Sequence, residues 1–188
     1  MQMQIKRDIK SGTRIVSGPR TPCDEWRQMS SSASARLTRP AYDFSHFLTA
    51  QDKVFDTVMK ELRAGKKRSH WMWFIFPQIA GLGGSPMSQR FALHSLAEAG
   101  AYLDHPVLGA RLRAATMAVL AHAGPADGDG PPERRANEIF GSPDDLKFQS
   151  SMTLFHRVVP DDGMFWKPLA AFYDGHQDYA TLRRLGLE

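Results

Sequence analysis

The sequence has almost no cysteine and no long apolar run. Cys23 is the single cysteine among 188 residues, which excludes an intrachain disulfide framework and a zinc site made of cysteines alone. The longest apolar stretches, around 71–77 and 114–121, fall far short of the roughly 20 residues that a membrane-spanning helix needs. Residues 2–28 contain no apolar core of a secretory signal. We therefore expect no membrane association and, by default, a cytoplasmic location.

Established catalytic and cofactor motifs are also missing. Gly81–Gly84 lacks both the spacing of a dinucleotide fingerprint and the Gly-Lys-Ser/Thr ending of a phosphate-binding loop. The seven histidines are dispersed, with no two of them four residues apart, and no Gly-x-Ser-x-Gly element occurs. We therefore predict no metal site and no cofactor.

The positive charge is unevenly distributed along the chain. The net charge is +4, yet residues 1–40 hold eight basic and three acidic side chains, so residues 41–188 carry a net charge of −1. The basic segment has no hydrophobic period and contains the small polar run Ser30–Ser34. We interpret residues 1–40 as a flexible basic extension or as the product of a start site placed too early, with Met29 as the alternative start. A functional basic arm for nucleic acid or anionic lipid is a third interpretation.

From Tyr42 onward the apolar residues recur at helical spacing. Gly, Pro, Ser and Asp residues punctuate these stretches at positions where helices begin or end. The segment Ser69–Gln78 fits a buried strand and a helix equally well. The remaining pattern predicts helices at about 44–48, 52–63, 88–103, 107–121, 133–140, from 142 onward, 165–173 and 178–185. The predicted fold class is all-α, a compact single-domain array of helices over residues 41–188 with at most one short strand-like segment.

Three clusters of polar residues are candidates for chemistry. The first combines aromatic and polar side chains directly after the basic trio Lys66–Arg68, and its members are Ser69, His70, Trp71, Trp73 and Gln78. Aromatic rings beside cations can stack a base and neutralise phosphate. The same rings can instead be core residues beside a solvated helix end.

The second cluster lies on one face of a predicted helix. Glu98, Tyr102 and His105 follow one another at i, i+4 and i+7. A carboxylate and an imidazole on one face can act as acid and base if they line a cleft. Alternatively, Tyr102 packs in the core and Glu98 faces water.

The third cluster lies on a helix that otherwise carries Phe148, Met152 and Phe155. Its polar members are Asp145, Lys147, Ser150, Ser151 and Thr153. Polar groups this dense on an apolar helix suggest that the helix flanks a polar pocket. In the alternative interpretation Asp145 completes the helix start and the hydroxyl groups face water.

Three longer stretches carry a family resemblance. HWMWFIFPQIAGLGGSPMSQRFAL, EAGAYLDHPVLGARL and IFGSPDDLKFQSSMTLFHRV occur in this order, between about Tyr42 and Leu185. Together they resemble the uncharacterised family called domain of unknown function eighteen-ten, some of whose fungal members carry the label calpastatin. The resemblance implies a compact, essentially all-helical domain and no established reaction. A calpastatin-type inhibitor works as a disordered chain that folds on its target, which disagrees with an apolar, periodic core.

The leading functional hypothesis is a helical domain that binds a small molecule or acts as a hydrolase. Its ligand would be anionic, of the nucleotide or sugar-phosphate type, because fixed cations and hydroxyl donors suit such groups. The candidate catalytic residues are His70, His105 and Glu98. The candidate ligand-binding residues are Trp73, Gln78, Ser88, Arg90, Lys147, Ser150 and Ser151. The alternatives are a non-catalytic protein-interaction module and, third, weak nucleic-acid binding through the basic and aromatic segment around Lys66–Trp71.

Overall fold

The computed structural model describes residues 42–124 and 132–188, which fold into ten helices. In chain order these are α1 (Ser45–Asp52), α2 (Phe55–Arg63), α3 (Met72–Ile75), α4 (Pro86–Arg90), α5 (Leu96–Asp104), α6 (Leu108–Leu120), α7 (Ala136–Phe140), α8 (Asp144–Val158), α9 (Trp166–Tyr173) and α10 (Tyr179–Leu185). Strand pairing in these residues is limited to one isolated parallel bridge between Ile79 and Leu93. The predicted all-α fold class is confirmed.

Local capping explains where several helices begin. The Ser95 hydroxyl accepts the Glu98 N–H at the start of α5, and the Asp178 carboxylate accepts the Thr181 N–H at the start of α10. Such caps satisfy backbone donors that a helix leaves unpaired at its first turn. The cap at Ser95 also explains why the stretch predicted as one helix over 88–103 consists of two, α4 and α5.

The ambiguous aromatic segment forms a single short helix with irregular residues on either side. The four residues of α3 lie between Trp71 and Phe76, and the segment that follows pairs with Leu93. The Leu93 N–H donates to Gln78 O at 2.9 Å, and the Ala80 N–H donates to Leu93 O at 2.8 Å. This backbone pairing fixes the start of the glycine-rich loop over residues 79–85.

Helix α8 lies at the centre of the helical array. It contacts α3, α5, α7, α9 and α10, while α6 packs against α2, α3, α5 and α9. Phe148, Met152 and Phe155 of α8 are completely buried, as their helical spacing predicts. The Phe148 ring lies 4.8 Å from the ring centroids of both Phe76 and Phe140, so α8 ties the aromatic segment to α7. The polar side chains of α8 next to this stripe are thereby held at fixed positions.

Residues Tyr42–Glu188 form one compact unit. The predicted basic extension over residues 1–40, including Cys23 and Met29, lies outside the described residues, as does most of the predicted loop 124–132. Within the described ranges, none of the helices combines the length and apolar composition needed to cross a membrane.

Candidate functional site

A cavity of about 580 Å³ opens beside α8 and is called the site cavity below. Its walls come from the aromatic segment, the glycine-rich loop with α4, the first half of α8 and the start of α10. The lining residues are Trp73, Gln78, Leu82, Gly83, Gly84, Ser85, Ser88, Pro143, Leu146, Lys147, Ser150, Asp178 and Ala180. Five candidate ligand-binding residues therefore meet at one place, namely Trp73, Gln78, Ser88, Lys147 and Ser150.

Trp73 and Gln78 reach the site cavity because they stay half-buried in a segment whose other side chains enter the core. Trp71, Phe74 and Phe76 are buried, whereas Trp73 and Gln78 keep part of their surface open. The short helix α3 turns Trp71 and Trp73 to different sides. The aromatic segment thus supplies several rings to the hydrophobic core and one indole, that of Trp73, to the site cavity.

A compact cluster of charges supports the Lys147 side of the cavity. The Asp144 carboxylate accepts Lys147 Nζ at 2.7 Å on one oxygen and Lys67 Nζ at 2.6 Å on the other. Burial raises the pKa of Asp144, but the two ammonium groups outweigh this effect and lower the pKa below its ordinary value. Two cations around one anion leave a formal charge of +1. The side chain of Lys67 is only 9% exposed, so water screens the charge of this ammonium group less than it would at the surface.

Lys147 also lies over the indole of Trp73. Its Nζ atom is 4.8 Å from the ring centroid, within the range of a cation–π contact. The ion pair with Asp144 and this contact hold the ammonium group at the cavity wall. A ligand at this wall would meet an aromatic surface and a fixed cation together.

The start of α10 contributes a carboxylate to the site cavity, that of Asp178, which the sequence pattern did not single out. Asp178 Oδ2 accepts the Ser150 hydroxyl at 2.8 Å, the Thr181 hydroxyl at 2.6 Å and the Thr181 N–H at 3.0 Å. Its backbone N–H donates to the Thr153 hydroxyl at 2.9 Å. Within the described chain, Oδ1 has no hydrogen-bond partner. Asp178 is therefore oriented by four contacts and keeps one oxygen available to accept a hydrogen bond from a ligand hydroxyl.

The glycine-rich loop forms the rim of the site cavity. An added Cβ atom at Gly83 would lie 2.7 Å from Ser88 Oγ, so the loop approaches α4 too closely for a side chain at this position. The Ser88 hydroxyl donates to Ser85 O at 2.8 Å, which fixes it at the start of α4. Neither the Gly83 nor the Gly84 amide bonds to an acceptor in the described residues. These amides are free to donate to a ligand.

The three candidate catalytic residues do not line the site cavity. Glu98 accepts the His94 N–H at 2.7 Å, which makes its carboxylate part of the capping of α5. His105 Nδ1 accepts the N–H groups of Val107 and Leu108 at the turn into α6. His70 is exposed on the surface. The face shared by Glu98 and His105 is occupied by local capping rather than by a cleft, and Tyr102 between them is fully buried.

Two candidate ligand-binding residues also lie elsewhere. The Arg90 guanidinium lies 5.4 Å from the centroid of the Phe91 ring, outside the cavity lining. Ser151 is completely buried, and its hydroxyl has no partner among the described residues. Ser150 and Ser151 are neighbours on α8, so the helical turn directs one to the cavity and the other to the core.

In the basic and aromatic segment Lys66 and Arg68 are exposed, whereas Trp71 and Lys67 are engaged within the protein. Trp71 is 1% exposed, and its Nε1–H donates to Glu61 Oε2 at 2.8 Å. Lys67 is held by Asp144. A buried indole offers no face on which a base can stack.

Metal-ligating side chains do not gather in the described ranges: no group of three or more His, Cys, Asp or Glu residues there has the geometry to hold a metal ion. In the site cavity Asp178 is the only lining residue of these four types. The site cavity therefore presents hydrogen-bonding groups, one aromatic surface and fixed charges to a ligand.

Comparison with known proteins places the fold in a family. The sequence profile described as "Protein of unknown function (DUF1810)" matches residues 41–185. The chain is also similar to a solved protein, the crystal structure of the conserved hypothetical protein Rv1873 from Mycobacterium tuberculosis. The two are 46% identical with a TM-score of 0.69, and the match covers 78% of this chain and 99% of the mycobacterial one. No curated protein matches this chain significantly.

Proposed function

The chain belongs to the DUF1810 family, and on that premise we propose that the site cavity binds a small anionic molecule of the nucleotide or sugar-phosphate type. The observation that carries the proposal is the convergence of Trp73, Gln78, Ser88, Lys147 and Ser150 on one cavity. These residues come from segments up to 77 positions apart in the sequence. Polar groups converging in a concave site are characteristic of ligand pockets.

The dimensions and chemistry of the cavity favour a ligand with a planar or sugar-like part. Its volume of about 580 Å³ falls within the roughly 300–1,000 Å³ of small-molecule sites. The Trp73 ring offers a surface for a base or for the apolar face of a sugar. Ser150 and Asp178, which are hydrogen-bonded to each other, supply a hydroxyl and a carboxylate oxygen to the lining. Such groups bind ribose or sugar hydroxyls.

The charge cluster gives an anionic ligand a fixed cation to bind. The Lys67–Asp144–Lys147 group keeps a formal charge of +1, and its Lys147 end forms part of the cavity lining, while Asp178 in the same lining offsets this charge for the cavity as a whole. Charge-assisted hydrogen bonds are about twice as strong as neutral ones. The free amides of Gly83 and Gly84 add neutral donors at the rim.

The test is a thermal-shift screen of the full chain against nucleotides, sugar phosphates and their unphosphorylated counterparts. A ligand at 100 times its Kd adds about 2.7 kcal/mol, which raises the Tm of a domain of this size by roughly 5–10 °C. W73A removes the aromatic wall and should abolish most of the shift. R90A, at a surface arginine outside the cavity, is the matched control and should leave the shift intact.

Two results would contradict the proposal. One is the absence of a shift with any compound, which would support a protein-interaction module instead. The other is an equal shift in the W73A and R90A variants, because binding would then occur elsewhere. Chromatography of each compound that shifts the Tm separates binding from hydrolysis. In a hydrolase, Asp178 is the cavity group able to take a proton from the attacking water.

A further inference from the structure

A second cavity adjoins the site cavity and is called the arginine cavity below. It has a volume of about 450 Å³ and is lined by Gly81, Leu82, Tyr179, Ala180, Arg183 and Arg184. Leu82 and Ala180 belong to the walls of both cavities. The two cavities are therefore neighbours that share part of one wall.

The two cavities differ in charge. The site cavity is lined by one lysine and one carboxylate, Lys147 and Asp178, whose formal charges cancel. The arginine cavity is lined by two cations and no acidic residue. Neither Arg183 nor Arg184 forms an ion pair with a carboxylate in the described parts of the chain. The carboxylate of Glu188, next to this cavity, accepts the Tyr179 hydroxyl at 2.6 Å. By its lining residues the arginine cavity carries a formal charge of +2 and the site cavity a formal charge of zero, so the arginine cavity is the more favourable place for an anion.

Arg184 is held in place before any ligand arrives. One of its terminal nitrogens donates to Gly81 O at 2.8 Å. Its guanidinium packs so closely on Gly81 that an added Cβ atom would lie 2.9 Å from Arg184 Cζ, and Gly81 has a φ of +89° that favours glycine. A guanidinium has five N–H donors, and this contact uses one. Arg184 is exposed, and the contact with Gly81 orients its guanidinium while the other donors remain available to a ligand. Such partial ordering before binding lowers the entropy cost of binding.

We propose that the arginine cavity is a phosphate subsite, so that the protein binds a phosphorylated nucleoside or sugar whose uncharged part lies against Trp73 and whose phosphate lies at Arg183 and Arg184. This inference rests on the proposed function and assigns the two parts of the ligand to the two cavities. Arginine pairs suit this role because a guanidinium donates two parallel hydrogen bonds to phosphate oxygens.

The test compares phosphorylated and unphosphorylated ligands by isothermal titration calorimetry with the full chain. Each phosphorylated compound that shifts the Tm is paired with its unphosphorylated counterpart, for example adenosine monophosphate with adenosine. The double variant R183A/R184A should weaken binding of the phosphorylated compound at least tenfold and leave the counterpart unchanged. W73A should weaken both compounds to a similar degree.

The matched control removes two cations from an equivalent position. Lys60 and Arg63 occupy the last turn of α2, as Arg183 and Arg184 do in α10, and neither lines the two cavities. The K60A/R63A variant should bind the phosphorylated compound like the unchanged protein. R184K keeps the charge but loses the fork geometry, so its affinity should lie between those of the unchanged protein and the double variant.

The outcomes separate this inference from the proposed function. If R183A/R184A leaves the affinity for the phosphorylated compound unchanged while W73A lowers it, the site cavity binds the ligand and the phosphate subsite is wrong. If K60A/R63A weakens binding as much as R183A/R184A does, the effect is one of net charge, and the subsite is again wrong. If no compound binds at all, both proposals fail.

Discussion

Glu61 shows how a single charged residue can organise a segment next to the site. Its carboxylate accepts the N–H groups of Arg68 and Ser69, the Ser69 hydroxyl and the Trp71 indole, at 2.7–3.1 Å. Burial opposes the charged form, but these donors outweigh it and lower the pKa of Glu61 from its ordinary value of 4.5 to about 2. The carboxylate thereby anchors the chain that leads from α2 into α3, and hence Trp73.

Replacing Glu61 by glutamine should destabilise the protein at neutral pH. An amide presents its NH₂ group to donors and weakens the remaining hydrogen bonds, at a cost of about 1–3 kcal/mol. The cost should depend on pH, because the pKa is lower in the folded protein than in the unfolded chain. The contribution of the ionised carboxylate is complete above about pH 4.5 and is lost as the pH falls toward 2.

Urea unfolding of the unchanged protein and of E61Q between pH 7 and pH 3 measures this effect. The difference in unfolding free energy should be constant down to about pH 5 and then decrease. A difference that stays constant down to pH 3 would show that the charge of Glu61 is not what stabilises this segment. S69A, which removes only one of the four donors, should cost less than E61Q throughout.

At the scale of elements, the crossing of α5 and α6 depends on a glycine in the first turn of α6. An added Cβ atom at Gly109 would lie 1.9 Å from Leu103 O, which is backbone of α5 and cannot rotate away. Leu103 and Leu108 are buried on either side of this approach. The short turn between α5 and α6 therefore requires glycine at position 109.

G109A should lower the unfolding free energy by on the order of 3 kcal/mol, because the two helices must move apart within a packed core. G163A is the matched control. At Gly163 the nearest atom to an added Cβ is a flexible lysine carbon at 3.9 Å, so alanine should be neutral or stabilise by about 0.5 kcal/mol. Thermal unfolding of both variants measures the difference. Equal stability of G109A and the unchanged protein would mean that the α5–α6 contact adapts without cost.

At the scale of the whole molecule, overall charge and ligand charge have separate origins. The sequence pI of 9.4 reflects residues 1–40, whereas residues 41–188 carry a net charge of −1. The cations at or next to the two cavities all lie within residues 41–188, namely Lys67, Lys147, Arg183 and Arg184. Anion binding in the two cavities therefore depends on placed side chains and not on the net charge of the chain.

Deleting residues 1–40 should leave the domain intact. The compact unit begins at Tyr42, so we expect the Tm to change by less than about 2 °C, equivalent to less than about 1 kcal/mol. The isoelectric point should fall to the acidic side of neutrality, as isoelectric focusing would show. Ligand affinities in both cavities should be unchanged. A drop in Tm of more than about 5 °C would instead assign residues 1–40 a structural role.

Much of the helical pattern was predictable from the sequence because its signals are local. Helix α6 was expected over 107–121 and spans Leu108–Leu120, and α10 was expected over 178–185 and begins at Tyr179. Apolar spacing and capping residues act within a few positions, so they can be recognised without a structure. The segment over 69–78 was not predictable, since its dense aromatic residues satisfy the core in either backbone conformation.

The candidate site was predictable only in part. Trp73, Gln78, Lys147 and Ser150 stood out as polar or amphipathic residues in apolar surroundings, and they line one cavity. Glu98 and His105 stood out as polar residues on one face of a predicted helix. In the structure, however, both side chains accept backbone N–H groups at helix ends. Asp178, Arg183 and Arg184 belong to the helix predicted over 178–185, and nothing in the sequence marked them as candidate site residues.

The sequence by itself determined the fold class, the family, the apolar stripe of α8 and the separation of charge between residues 1–40 and the rest. Each of these depends on residue types and spacings that lie close together in the chain. Only the tertiary structure decided which polar residues share a cavity. Arg184 and Gly81 are 103 positions apart, and Asp178 lies 28 positions from Ser150. Such contacts arise from packing the helices around α8, which no local pattern specifies.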